Sequence, residues 1–142
     1  MRKVVLTASL LIVLLAITIA FNISTPKRTV DKFLDSYGQS EIFDMLDCVD
    51  PAVENAFYAQ LFFGKSGVLL DDLLYILGVE NTDDIKYFFD KNSNTFKTSK
   101  NSADVVIYSK EHKEEMVFGL ILINGEWLIR SVEIHSYEIV AV

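Results

Sequence analysis

The sequence predicts an α+β protein with an N-terminal transmembrane helix, followed by helices packed on an antiparallel sheet that ends in a C-terminal β-meander. Three observations predict this fold. Residues 4–21 form an uncharged apolar run, apolar residues recur at helical spacing from Pro26 to Gly78, and from Ala103 they recur with a period of two. We therefore divide the chain into residues 1–23, a membrane anchor or signal segment, and residues 24–142, an extracytoplasmic α+β domain.

The N-terminal segment has the length of a membrane-crossing helix. The eighteen residues from Val4 to Phe21 carry no charge and would extend roughly 27 Å as a helix, close to the thickness of a bilayer core. A signal-peptide core is shorter, about 7–15 residues, so an uncleaved anchor is favoured. Thr18 and Ala20 are small enough to precede a cleavage site, which leaves a secreted domain as the alternative. Arg2 and Lys3 favour a cytoplasmic N-terminus, and thus a single-pass cell-membrane protein whose domain faces outside.

The remaining domain is acidic. Without Arg2 and Lys3, the domain contains 11 of the 13 Lys and Arg residues and all 20 Asp and Glu residues, which gives it a formal charge of −9. Such a surface repels phosphate backbones, so we expect no nucleic-acid partner. Cys48 is the only cysteine, which excludes an intrachain disulfide. The sequence has no metal-ligand spacing and no phosphate-binding glycine motif, and we expect neither a metal nor a cofactor.

Capping signals define the first helix of the domain. Thr25 is a good N-cap, and Pro26 suits the first helical position because its missing N–H needs no partner. The residues on the apolar face are Val30, Phe33, Leu34 and Tyr37. Gly38 is predicted to end the helix in a left-handed conformation.

Weaker signals describe the middle of the chain. We predict helices over Ser40–Asp47, from Pro51 to the glycines of 64–67, and over Val68–Gly78. The stretch after Thr82, the expected N-cap, fits a helix slightly better than a strand. Residues 91–102 are polar and fit a loop or a weak edge strand.

Three strands close the chain, and a tight hairpin joins the last two. Asn124-Gly125 predicts a type I′ turn, because both of its central positions need positive φ. Regular pairing from this turn places Leu120 opposite Ile129, Gly119 opposite Arg130, Phe118 opposite Ser131 and Met116 opposite Glu133. Both faces of the central strand are then apolar. We expect helices to cover one face, and either the curling sheet or a partner protein to cover the other.

The chain resembles small membrane-anchored bacterial domains of unknown function in the nuclear-transport-factor-two-like superfamily, which has the ketosteroid-isomerase cone fold. The resemblance rests on the first helix, "TPKRTVDKFLDSYG", and on the hairpin "INGEWLIRSVEI". It implies a curved, cone-like sheet wrapped on helices, with a cavity at its wide end. Enzymes of the superfamily place a carboxylate and a Tyr or His in that cavity, but no catalytic residue of this chain aligns with such a motif.

The regular register puts Ser131, Glu133 and His135 on the same face as Trp127. Glu133 and His135 are weak catalytic candidates, because a carboxylate beside an imidazole suits acid–base chemistry in a dry cavity. Polar residues where a strand leaves the core explain them more simply. Phe118, Trp127 and Ser131 are candidate pocket-lining residues.

Other polar residues have structural explanations. The pairs Asp71-Asp72 and Asp83-Asp84 lack the spacing of a calcium loop and fit solvated first turns of helices. His112 fits a solvated charged turn. Cys48 lies among apolar residues and fits a small buried side chain better than a reactive thiol.

Three functional hypotheses follow. The favoured one is a non-catalytic, membrane-anchored domain that binds an unknown small ligand or an envelope protein, with residues 4–21 in the membrane. The second is a small cofactor-free lyase or isomerase on the cone fold. The third is a structural subunit of a membrane complex.

Overall fold

A computed structural model describes residues 2–63, 69–89 and 91–136, and the side chains within these ranges except those of residues 2 and 17–22. The protein is α+β. The helices are α1 Arg2–Asn22, α2 Pro26–Gly38, α3 Ile42–Leu46, α4 Pro51–Phe63 and α5 Leu69–Leu77, followed by a 3-10 helix Thr82–Phe88. The strands are β1 Ser93–Lys97, β2 Ser102–Ser109, β3 Glu114–Ile123 and β4 Glu126–Ser136.

The four strands form one antiparallel sheet in the order β1-β2-β3-β4. Each strand pairs with the next in the chain, as predicted for the meander. Asn124 and Gly125 both have positive φ, 51° and 80°, which confirms the tight turn between β3 and β4. Residues 91–102 include the short β1, so the edge-strand alternative for this segment is confirmed.

The helices cover one face of the sheet, and the core lies between the two layers. Phe33 of α2 is fully buried and packs edge-on against Phe118 of β3, with ring centroids 6.0 Å apart. Val53 and Phe57 of α4 and several leucines of α5 join the same core. Burying apolar area in this single cluster is the main driving force for the fold.

The start of α2 is as predicted, whereas its end is not. Thr25 Oγ1 accepts a hydrogen bond from the Arg28 N–H, which confirms the N-cap. Gly38 is the last helical residue and does not have positive φ; the left-handed position falls on Ser40, at φ 58°. The prediction was wrong because the helix continues through Gly38, and Ser40 makes the reversal into α3.

Helix α5 ends just before a glycine with positive φ. Gly78 has φ 119°, and a Cβ there would lie 3.0 Å from the carbonyl oxygen of Val132, so glycine also permits close approach to β4. The 3-10 helix after it is capped by the Asn81 side chain, which accepts from the Asp83 N–H; the predicted cap, Thr82, is wrong by one residue. The glycines of 64–67, predicted to end α4, lie outside the described residues.

The second face of the sheet, which we call the outer face, carries fewer covered apolar side chains. Val106 and Leu128 are buried, but neither belongs to the main core. Val117, Ile121 and Ile123 are half-buried, while Phe96 and Tyr108 are exposed.

Helix α1 is apolar around its whole circumference. Its large side chains from Val4 to Leu15 are all more than half exposed. A search of the described residues for a helix with the length and apolar character needed to cross a membrane found none.

Candidate functional site

A β-bulge in β4 controls which residues face the helices. Leu120 pairs with Ile129 as predicted, but Gly119 pairs with Ser131, so Arg130 is an extra residue without a partner position in β3. An extra residue reverses the alternation of every side chain beyond it. The predicted pairings of Gly119 with Arg130, Phe118 with Ser131 and Met116 with Glu133 are therefore wrong.

The bulge moves the polar candidates to the outer face. Val132 and Ile134 now lie opposite Phe118 and Met116, on the core face. The three polar residues therefore lie on the opposite face from Trp127 and Ile129; they are Ser131, Glu133 and His135. The prediction that they share a face with Trp127 is wrong. The structure places no apolar core around the acid–base pair.

Glu133 and His135 do contact each other. The His135 Nε2 lies 2.8 Å from Glu133 Oε2, and the two side chains remain 51% and 61% exposed. Water at this exposure screens the pair, so its interaction is weak. A carboxylate–imidazole pair in this position lacks the water exclusion on which efficient acid–base catalysis depends.

The three pocket-lining candidates separate in space. Phe118 is fully buried in the core. Ser131 packs over Gly119 on the outer face, where a Cβ at position 119 would lie 2.5 Å from the Ser131 Oγ. Trp127 lines a cavity at the start of β4.

That cavity is an open groove of about 770 Å³ where α1 ends and α2 begins. We call it the junction groove. Residues from the α1–α2 connection, from α2, from the end of α3 and from the β3–β4 hairpin form its walls. They are Ile23, Ser24, Arg28, Thr29, Lys32, Asp47, Cys48, Gly125, Glu126, Trp127 and Leu128.

Two hydrogen bonds join the walls of the junction groove. The Trp127 N–H donates to Ser24 Oγ at 3.0 Å, and Thr29 Oγ1 donates to the Trp127 carbonyl oxygen at 2.8 Å. Both backbone groups of Trp127 are thus satisfied by α2 and its N-terminal connection. These bonds hold the backbone of Trp127, a residue that is only 7% exposed, beside the first turn of α2.

Opposite charges line the junction groove. Arg28 and Lys32 are four residues apart, one helical turn, and thus share a face of α2. Asp47 and Glu126 stand on the other elements, after α3 and in the hairpin. The i,i+4 spacing of the two cations is a signal that sequence reasoning missed, because Arg28 was considered only for membrane orientation.

A second cavity of about 450 Å³ lies at the far end of β4 and is mostly acidic. Its walls include Glu80, Asp84, Glu114, Glu133 and His135. Burial and the nearby Asp84 carboxylate raise the pKa of Glu114. Among the described residues, no group of three or more His, Cys, Asp or Glu side chains is arranged to hold a metal ion.

The remaining candidates have clear structural positions. Cys48 is buried, as predicted, and desolvation raises the pKa of its thiol to about 11, which disfavours the reactive thiolate. Asp71 accepts a hydrogen bond from the Tyr37 hydroxyl. Asp72 is only 8% exposed, so its predicted solvated position is wrong. His112 stacks on Tyr87 with centroids 3.6 Å apart, and is thus packed rather than simply solvated.

Comparisons with models of protein families, with characterised proteins and with solved structures found no match. Two features of this chain bear on its function, the exposed apolar helix α1 and the junction groove at its end.

Proposed function

We propose that this protein is a membrane-attached domain that binds a ligand in the junction groove and does not catalyse a reaction. Helix α1 attaches it to the bilayer, and the α+β domain faces outside the cell. The observation that carries the proposal is the position of the groove, whose walls include Ile23 and Ser24, the residues that directly follow α1.

The exposure of α1 supports membrane attachment. Nine large apolar side chains between Val4 and Leu15 are 52–72% exposed. A contiguous apolar surface of this kind is unfavourable in water and marks a membrane or protein contact. The single-pass crossing and the outward orientation remain predictions from the sequence.

The geometry of the acid–base candidates favours binding over catalysis. Glu133 and His135 touch, but they lie on the solvent-exposed outer face. The junction groove instead offers an indole, two cations and two carboxylates without a nucleophile in an activating environment, since its thiol, Cys48, has a raised pKa. A groove of this volume is within the range of small-ligand sites.

The cone fold is also part of the proposal. One-sided packing of helices on an antiparallel meander, with a bulge that bends the last strand, supports it. The resemblance of the first helix and the hairpin to that superfamily is the second support.

Cell fractionation tests the attachment. We expect the full-length chain in the membrane pellet, resistant to high salt, because apolar contact rather than charge holds it. Leu11→Asp with Ile12→Asp should release it, since each central carboxylate costs about 2.5–3.5 kcal/mol in a bilayer. Tyr75→Asp is the matched control, because Tyr75 is 54% exposed on α5, outside the attachment helix. Full-length protein in the soluble fraction would refute the proposal.

A further inference from the structure

The charges of the junction groove differ from those of the rest of the domain. The domain carries a formal charge of −9, counted as 11 Lys and Arg against 20 Asp and Glu. The groove walls carry Arg28 and Lys32 against Asp47 and Glu126, two charges of each sign. The groove is therefore locally balanced in charge, with both cations on α2 and the two carboxylates on other elements.

Three of the four charged side chains of the groove make no ion pair with another described residue. Among the described residues, no ion pair within 4.0 Å involves Lys32, Asp47 or Glu126. Lys27, by contrast, pairs with Asp31 at 3.9 Å and lies outside the groove. Arg28 donates from Nη1 to the Ile23 carbonyl oxygen at 3.0 Å, which holds its guanidinium beside the end of α1.

The groove also has an apolar wall suited to the membrane interface. Trp127 is buried along it, and Ile23 is 55% exposed at its edge. Tryptophan is enriched where hydrocarbon meets headgroups, because its ring is apolar and its N–H is polar. With α1 in the bilayer, as the proposed function states, this wall lies at headgroup depth.

We propose that the junction groove binds the zwitterionic headgroup of a membrane phospholipid that carries one phosphate and one ammonium group. The phosphate lies toward Arg28 and Lys32, because guanidinium and ammonium groups donate charge-assisted hydrogen bonds to phosphate oxygens. The ammonium lies toward Asp47 and Glu126. This inference rests on the proposed membrane attachment and names the ligand of the same groove.

The sole tryptophan of the chain, Trp127, reports directly on the groove. Full-length protein is reconstituted in vesicles of an uncharged glycolipid, to which phosphatidylethanolamine or the anionic phosphatidylglycerol is added in steps. We expect a saturable change in Trp127 emission with phosphatidylethanolamine, at about five- to tenfold lower lipid fraction than with phosphatidylglycerol.

Variants that remove a charge test which groove residues contact the phosphate and which contact the ammonium group. Lys32→Gln should weaken the response to both phospholipids. Asp47→Asn with Glu126→Gln should weaken the response to phosphatidylethanolamine about five- to tenfold and leave phosphatidylglycerol unaffected or better bound. Lys27→Gln, outside the groove, is the matched control and should change neither. Circular dichroism checks that each variant is folded.

Two further measurements are needed. The first distinguishes a membrane lipid from a soluble phosphate ester as the ligand, and the second distinguishes failure of the headgroup inference from failure of the proposed attachment. Soluble glycerophosphoethanolamine, added to detergent-solubilised protein, should bind much more weakly than the lipid; equal affinity would overturn the lipid source. Flotation with the vesicles tests attachment alone. Protein that floats but shows no preference for phosphatidylethanolamine overturns the headgroup inference and leaves the attachment intact, whereas protein that does not float overturns both.

Discussion

Arg130 Nε donates a hydrogen bond to Asp50 Oδ2 at 3.0 Å, which joins the bulge of β4 to the start of α4. The same Asp50 side chain accepts from the Ala52 N–H, and its backbone N–H donates to the Ile129 carbonyl oxygen. Ile129 in turn donates to Cys48, so a short parallel bridge covers the edge of β4 beside the bulge. Asp50 thus caps a helix and fixes the bulge at once.

Loss of this carboxylate should destabilise the domain. We expect Asp50→Ala to lower the free energy of unfolding by about 0.5–2 kcal/mol, because Arg130 Nε and the first turn of α4 lose their acceptor. Asp50→Asn should cost less, since an amide oxygen still caps. Denaturant unfolding measures both. Asp31→Ala is the control, because that exposed carboxylate pairs at 3.9 Å, and its effect should stay below about 0.5 kcal/mol. Equal effects of Asp50→Ala and Asp31→Ala would contradict the role of Asp50.

Replacing two glycines by alanine should change the stability of the domain in opposite directions. A Cβ would meet open space at both Gly38 and Gly125, but only Gly125 has positive φ. Gly125→Ala should therefore cost about 1–2 kcal/mol through backbone strain alone. Gly38→Ala should stabilise α2 by about 0.5–1 kcal/mol, because glycine is a poor helix former. Thermal unfolding of the two variants tests the pair, and a stabilising Gly125→Ala would exclude the type I′ turn.

Phe33 should be the most sensitive aromatic residue of α2. It is fully buried against Phe118, so Phe33→Ala should cost about 3–5 kcal/mol in lost contacts and cavity formation. Phe62, which is 87% exposed on α4, is the matched control, and Phe62→Ala should change stability by less than about 0.5 kcal/mol. If both variants unfold at the same denaturant concentration, α2 does not pack on the sheet as described.

Cys48 should react slowly with thiol reagents in the folded protein. With a pKa of about 11, only about one thiol in a thousand is ionised at pH 8, so labelling should be about 100-fold slower than in denaturant. The raised pKa also predicts that stability holds below pH 9 and falls between pH 9 and 11, because the unfolded state loses this proton first. Cys48→Ala should reduce that alkaline loss. Rapid native labelling at pH 8 would show that the thiol is not desolvated.

Local signals predicted most of the fold. The Thr25 cap, the apolar stripe of α2 and the Asn124-Gly125 turn each depend on residues within a few positions, and all three are present. The bulge at Arg130 was not predictable in this way. Gly119 is a local sign of a bend in the sheet. The partner of Arg130, Asp50, lies 80 positions away in the chain, so no local pattern identifies Arg130 as the extra residue.

The same bulge explains most of the error about the site. One inserted residue moved Ser131, Glu133 and His135 to the outer face, which removed the predicted acid–base pocket. Trp127 precedes the bulge and kept its predicted face. The junction groove around it is built from three separate chain segments, and their meeting is a tertiary property that spacing alone does not reveal.

The two hydrogen bonds between Trp127 and the start of α2 also determine how the domain would respond to mechanical tension. Ser24 and Thr29 connect the chain directly after α1 to the first residues of β4. A pull transmitted along α1 would reach helix α2 and strand β4 together, because both hydrogen bonds must break before α2 can peel away from the sheet. With α1 attached to a membrane, as proposed, lateral drag on the helix would be resisted by two elements that are about 100 positions apart in the chain.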